Sequence, residues 1–179
     1  MKYFKKIKGE RLYLSPINLD DLSLYTKWLN DIEVASNLGN YNRMLSLVNE
    51  KTALEELAKD GQNYAMVLYD GDQLIGNISL NEVNHLHRIG TVGIFIGEEE
   101  HRGKGYGTEA MRLIVEYGFK TLNLHNIMLN VHSNNARAIA SYKKVGFTEF
   151  GRRREARYIE GQYLDTIYME ILATDYFSK

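Results

Sequence analysis

The run His101-Arg-Gly-Lys-Gly-Tyr-Gly-Thr-Glu-Ala110 sets glycines at 103, 105 and 107 around Arg102 and Lys104. Where a side chain is absent a ligand can reach the main chain, and glycines at positive φ let successive N–H groups turn toward one anion. A β-rich run precedes this stretch and an amphipathic helical pattern follows it, so the partial positive charge of a helix N-terminus falls at the same point. The chemistry implied is a phosphate cradle. Its donors are the main-chain groups of Gly103, Lys104, Gly105, Tyr106, Gly107 and Thr108, with the charges of Arg102 and Lys104 beside them. Gly107 is followed by Thr108-Glu109 and not by Lys-Ser or Lys-Thr, which argues against a Walker loop. Gly105, Gly107 and Ala110 satisfy the spacing of a dinucleotide fingerprint, but that fold also wants an acid at the end of the next strand, and residues 125–131 contain none. On composition alone, a glycine-rich loop without a ligand stays open.

Arg102-x-x-Gly105-x-Gly107 resembles the Arg/Gln-x-x-Gly-x-Gly/Ala signature of the GNAT superfamily of acetyl-CoA-dependent N-acetyltransferases. Asn134-Asn135-Ala-Arg-Ala138-Ile-Ala-Ser-Tyr142-Lys-Lys-Val-Gly146-Phe147 resembles its second motif, with the Asn, the Tyr and the closing Gly-Phe in register. The opening Gly9-Glu-Arg-Leu-x-Leu with Leu19-Asp-Asp-Leu22, and the closing Gly161-x-Tyr163-x-Asp165, are similar to the branch that includes ribosomal-protein N-terminal acetyltransferases and spermidine/spermine N-acetyltransferases. The likeness spans most of the chain.

The resemblance implies an α/β fold with a central, mostly antiparallel mixed sheet of about seven strands and helices on both faces. It also implies acetyl-CoA as donor, no metal, and direct transfer of acetyl to a primary amine. Under it, a backbone N–H in the segment Ile94, Phe95 and Ile96 polarises the thioester carbonyl, and this strand pairs with the pantetheine amides like an added strand. Asn135 bonds the cofactor where two strands splay, and Ala138, Tyr142 and Lys144 border it from the following helix. Tyr142 is the general acid for the departing thiolate. Read from spacing alone, Asn135 is a helix cap and Tyr142 an inward-facing core aromatic, and both readings stay open. Polyamine-type relatives carry a glutamate on the strand before the cradle, and the matching position is Thr91. Glu82 is the nearest carboxylate that could orient the amine or accept its proton, with His85, His87 and His132 in reserve.

Several elements must position these groups. Residues 10–14 alternate as a short strand that Ser15-Pro16 ends. From Asn18 onward Leu19, Leu22, Tyr25, Trp28 and Leu29 recur at helical spacing, with Asp20 and Asp21 in the first turn. The resemblance makes this helix and residues 33–41 a wall of the acceptor site. A further helix is expected over 47–58, then strands over 64–69 and 73–83 around Asp70-Gly71-Asp72, a strong hairpin signal. Residues 88–97 form the next antiparallel strand with Val92, Ile94 and Ile96 on one face, and its glycines at 90, 93 and 97 point to a bulge or a close backbone approach. After the cradle come a helix carrying Ala110, Leu113, Ile114, Tyr117 and Phe119, a buried strand over 125–131, and a helix capped by Asn134 or Asn135 and stopped by Gly146. Strands over 148–159 and 163–172 close the chain around Glu160-Gly161.

Composition narrows the classes. The 179 residues fit one domain, 1–179, with 44% hydrophobic and 25% charged side chains. No apolar stretch reaches membrane-span length, and the basic start Met1-Lys-Tyr-Phe-Lys-Lys6 is not followed by a signal core, so a cytoplasmic protein away from membranes is expected. The absence of cysteine removes disulfides, thiolate metal sites and a cysteine nucleophile, which suits direct transfer. A net charge of −1 argues against general nucleic-acid binding. His85 and His87 have no third ligand at metal-binding spacing.

The acceptor stays open among a polyamine, a small amine, an amino sugar and a protein N-terminus. The stretches 81–88 and 101–125 are similar to spermidine/spermine acetyltransferases, whereas Asn37-Leu-Gly-Asn-Tyr-Asn-Arg43 lacks the acidic pairs with which such enzymes attract polycations. Arg152-Arg153-Arg154 is either a solvated face or an attractor of an acidic acceptor protein. Relatives often pair through sheet edges or helices, which makes a homo-oligomer an expectation. Two other classes remain: a non-catalytic acyl-CoA sensor, which needs the cradle but not Tyr142, and a dinucleotide-binding protein.

Overall fold

The computed structural model describes residues 2–178. Strands β1 (Ile7–Lys8) and β2 (Leu12–Pro16) lead through a 3₁₀ turn capped by Asn18 into helices α1 (Leu22–Leu29), α2 (Ile32–Leu38) and α3 (Leu47–Asp60). A meander of β3 (Asn63–Leu68), β4 (Leu74–Asn84) and β5 (Ile89–Ile96) follows. Helix α4 (Tyr106–Lys120) crosses to β6 (Asn126–His132), and α5 (Ala136–Val145) leads to the hairpin β7 (Thr148–Ile159) and β8 (Gln162–Leu172), with α6 (Ala173–Phe177) after it. The strands form one eight-stranded sheet in the order β1-β2-β3-β4-β5-β6-β8-β7. Every pairing is antiparallel except β5 with β6, which the α4 crossover makes parallel. The strand beyond the seven expected is the two-residue β1.

Alternation along the strands divides the interior into two cores. Ile78, Leu80, Val92, Ile127, Leu129, Met169 and Ile171 meet Ala110, Met111, Ile114, Val115 and Phe119 of α4 on one face. On the other face Tyr13, Ala65, Val67 and Leu74 meet Tyr25 and Trp28 of α1 and Leu54 of α3. Helices therefore cover both faces. Among the described residues no helix is long and apolar enough to cross a membrane.

Two helices lie outside the expected elements. Helix α2 is only seven residues long and buries only Val34 and Ala35, too few positions to register a helical period; its ends are local signals, an Asp31 carboxylate accepting from Glu33 and Val34 N–H groups and Gly39 at φ +77°. Helix α6 is shorter still. Helix α4 begins at Tyr106, before its first buried position, Ala110, because its first turn carries no apolar pattern.

Parallel pairing between β5 and β6 is limited to Ile89 with Asn126, Gly90 with Ile127 and Thr91 with Met128. Beyond Thr91 the two strands diverge into a fork, while β5 stays paired with β4 as far as Ile96. Gly97 N–H donates to Ile75 O at 3.0 Å. In an antiparallel ladder the hydrogen-bonding direction alternates, so the main-chain groups of Val92, Ile94 and Ile96 point away from β4 and into the fork. The expected irregularity lies in β4 and not among the β5 glycines: the register passes from Asn81↔Thr91 to Asn84↔Ile89, leaving Glu82 and Val83 opposite Gly90. Gly97 instead makes the close approach, since a Cβ there would stand 2.1 Å from the Trp28 indole.

A carboxylate joins the chain's beginning to its middle. Glu109 in the first turn of α4 accepts from the N–H groups of Glu10 and Arg11 at 2.9 and 2.8 Å and from Arg11 Nε at 2.9 Å. Arg11 Nη1 donates in turn to Lys104 O at 2.9 Å, with its guanidinium over the Tyr106 ring. Burial pushes the Glu109 carboxyl pKa up, but the Arg11 N–H and guanidinium donors outweigh it and hold the group below the usual range.

Gly97→Ala is expected to cost about 1–3 kcal/mol in urea unfolding because the indole must be displaced. Gly151→Ala, whose Cβ meets nothing within 4 Å, should stay within about 0.5 kcal/mol of the parent. Because the Glu109 pKa is depressed, its contribution is present above the ordinary carboxyl range and lost as pH falls through the folded value. Glu109→Gln should therefore destabilise by roughly 1–3 kcal/mol at pH 7, and the difference should close as unfolding is measured below about pH 4.

Candidate active site

A cavity of about 320 Å³ opens between the free edge of β5, the loop after it and α5. Ile94, Phe95 and Ile96 line it from the strand, and Gly103, Gly105, Gly107 and Thr108 from the loop and the start of α4. Asn135, Ala138, Tyr142 and Lys144 form the opposite wall. Gly103 and Gly105 adopt φ +75° and +85°, left-handed values that favour glycine. Gly105 is the N-cap of α4 and has no side chain to bond the first turn, so the N–H groups of Tyr106, Gly107 and Thr108 have no intrahelical acceptor. A Cβ on Gly107 would stand in ordinary contact with the strand, 3.6 Å from Ile96 and 3.9 Å from Ile94, which places the start of α4 directly beside β5. Thr108 Oγ1 and Ser141 Oγ lie 2.7 Å apart and tie α4 to α5.

This donor set fits acetyl-CoA. Unbonded N–H groups at a helix N-terminus suit a diphosphate, and an unpaired strand edge suits a chain of amides. When bound, the cofactor supplies the activated thioester.

Not every expected ligand faces the cavity with a free charge. Arg102 is nearly buried, and all three of its guanidinium nitrogens are engaged: Nε with Ile96 O at 3.2 Å, Nη2 with Gly97 O at 2.8 Å and Nη1 with Glu33 at 2.6 Å. Its position braces the end of β5 against α2. Lys104 is exposed and Tyr106 sits beneath Arg11, both outside the cavity lining. Asn135 caps α5 by accepting from Ala138 N–H at 3.0 Å and also donates to Asn37 Oδ1 at 2.8 Å. The cap and the cleft position therefore coexist in one side chain. Glu33, Val34 and Asn37 of α2 line the cavity, within the segment 33–41 that the resemblance made a wall, and Arg137 of α5 lines it without having been singled out. Their signals were present as the Asp31 and Gly39 caps and as the interior of the second motif.

Tyr142 reaches the cavity from α5, with its ring 6.2 Å from Phe147. Burial alone pushes its hydroxyl up to about 12, so the phenol stays protonated and available as a donor. Glu82 lies outside the lining. Its Oε2 accepts from Thr91 Oγ1 at 3.0 Å, and Thr91 is the last β5 residue paired with β6, at the apex of the fork. His85 and His87 are exposed in the β4–β5 turn. His132 is buried at the end of β6, where burial and the charge of Arg157 hold its imidazole below the usual range. Among the described residues no three His, Asp or Glu side chains are grouped to hold a metal ion.

A profile of the Acetyltransferase (GNAT) domain matches residues 11–148. The spermidine N(1)-acetyltransferase of Vibrio cholerae is 33% identical over 159 residues, which span 83% of this chain and 91% of that protein. A crystal structure of spermidine N-acetyltransferase from the same organism in complex with CoA and spermine superimposes with a TM-score of 0.83 at 30% identity, covering 93% of this chain and 98% of that one. A dodecameric structure of the Vibrio cholerae enzyme gives a TM-score of 0.75 at 28% identity, covering 93% and 96%. The overall fold agrees with these relatives. The chain belongs to the GNAT acetyltransferases and is an N-acetyltransferase that takes its acetyl group from acetyl-CoA.

Proposed function

We propose that this enzyme acetylates a primary amino group of a polyamine of the spermidine class. The single observation that carries the chemistry is the free edge of β5 running from the fork apex into the glycine loop, because it gives one extended ligand a continuous line of main-chain partners. The acceptor class is supported by the activity of the spermidine acetyltransferase relatives and by a carboxylate, Glu82, at the fork apex.

The N–H groups of residues 106–108 hold the diphosphate, and the N–H groups of β5 that face the fork hold the pantetheine amides and polarise the thioester carbonyl. Glu82 takes a proton from the acceptor ammonium. The neutral nitrogen then attacks the carbonyl carbon, a C–N bond forms and the C–S bond breaks. Tyr142 gives its proton to the departing thiolate and is reprotonated, through solvent, by the second proton that the acylated nitrogen sheds. The products are the N-acetylamine, CoA and one proton. Arg102 shapes the cradle by holding the end of β5, and Lys104 adds charge at its outer rim. A homo-oligomer accords with the dodecameric relative, and the cytoplasmic setting expected from the sequence goes with this proposal.

A second acceptor, an acidic protein N-terminus, is favoured by Arg153 and Arg154, which are exposed on β7. A panel of spermidine, spermine, small diamines and acidic N-terminal peptides, read by release of free CoA, separates the two. Spermidine should give the highest kcat/KM; preference for the acidic peptides would replace the polyamine reading.

Tyr142→Phe should lower kcat by about 100-fold or more while the calorimetric Kd for CoA changes less than about 3-fold. Since the donor is the protonated phenol and its pKa is raised, kcat should hold its plateau through pH 10, where an ordinary phenol would be half ionised, and fall only toward pH 12.

A further inference from the structure

Glu82 is the carboxylate at the fork, yet it does not stand on the strand that forms the fork. It belongs to β4, in the bulge where two residues oppose Gly90, and bulges of this kind re-aim a side chain. Its φ is +52°, a left-handed value seldom taken by a residue with a Cβ. Such a conformation persists where surrounding contacts hold it. The contact here is the 3.0 Å hydrogen bond from Thr91 Oγ1 to Glu82 Oε2. Thr91 lies on the face opposite Val92 and Ile94, whose side chains pack toward α4, so the hydroxyl projects on the face of the sheet away from the glycine loop. Asn81, directly across from Thr91, is turned aside, its Nδ2 donating to Ser79 Oγ at 2.9 Å. Glu82 is exposed, and Thr91 occupies only one of its two oxygens.

We propose that Thr91 is a positioning residue: its hydroxyl draws the Glu82 carboxylate out of the β4 bulge and holds it over the fork apex, so that Oε1 is presented to the acceptor nitrogen. The inference rests on the N-acetyltransferase reading with Glu82 as proton acceptor. In the step concerned, one N–H bond of the acceptor ammonium breaks and its proton passes to Glu82 Oε1. The nitrogen keeps the electron pair with which it attacks, and the exposed carboxyl then returns the proton to water. The Thr91 hydroxyl takes no part in bond making; it sets where the carboxylate stands.

Four proteins test this: the wild-type chain, Thr91→Val, Glu82→Gly, and the double variant Glu82→Gly/Thr91→Glu, which moves the carboxylate onto β5 itself. Each is assayed for kcat and for KM of spermidine and acetyl-CoA, with Tm and the calorimetric Kd for CoA alongside. Thr91→Val should lower kcat about 10-fold and Glu82→Gly about 100-fold, with the Kd for CoA within about 2-fold of wild type. Glycine accepts φ +52° without strain, so the Tm of Glu82→Gly should be no lower than that of wild type, which separates lost chemistry from lost folding. The double variant should recover about 10-fold or more over Glu82→Gly. Wild-type turnover that Thr91→Val and Glu82→Gly leave intact overturns this inference alone, as does a folded, CoA-binding double variant with no recovery. A wild-type chain that acetylates no amine overturns the parent reading together with it.

Discussion

Pairing between β5 and β6 lasts for three residue pairs and then stops, and the rest of the molecule is arranged around the backbone groups left over. A strand inside a sheet normally satisfies its N–H and C=O groups on both sides, and buried groups without partners are costly. Here the neighbouring strand departs while β4 continues to hold β5 straight, so one side of β5 keeps its geometry and loses its partner. Such an edge is an open site for an extended ligand that carries amides of its own. Because the connection through α4 makes the pair parallel, the same divergence places the N-terminus of α4 at the wide end of the gap. A free strand edge and an open helix N-terminus thus follow from one topological choice.

Holding that gap open takes two ion pairs on opposite sides of the loop. Arg11 with Glu109 fastens the turn before β2 to the first turn of α4, and Arg102 with Glu33 fastens the end of β5 to α2. In both cases the guanidinium also caps main-chain oxygens, Lys104 O in the first and Ile96 O and Gly97 O in the second. The charge of Arg102, which the motif assigns to phosphate, is therefore spent on shaping the loop. The open N–H groups at the start of α4 are dipoles of fixed direction. Lys144 and Arg137 of α5 also stand at the cavity wall, Arg137 with its Nη2 3.6 Å from Glu33.

Much of this was legible from residue order. Val92, Ile94 and Ile96 share a face as their alternation required, Asn135 caps α5, and Gly146 ends it at φ +119°. The hairpin at Asp70-Gly71 and the one at Glu160-Gly161 both formed, each with its glycine at positive φ. What could not be read has physical causes. Helix α2 presents two buried side chains and depends on contacts with residues about 70 to 100 positions away, Arg102 and Asn135. The β4 bulge has no glycine to announce it, because a threonine nine residues downstream accompanies the strained conformation of Glu82. Arg102 looks like a phosphate ligand until the carbonyls at the end of β5 are seen to converge on it. In each case the missing information is a long-range partner, which local propensity and spacing do not encode.

The contact between Gly97 and Trp28 ties the core beneath α1 and α3 to the end of β5. Trp28 is the sole tryptophan in the chain, is almost wholly enclosed, and rests against Gly97 with the ring of Phe95 6.1 Å away. Its indole nitrogen donates to Glu98 at 3.0 Å, in the segment that leads to the glycine loop. The indole emission of this protein is consequently a local signal from the end of β5 and the segment beside it, undiluted by other indoles.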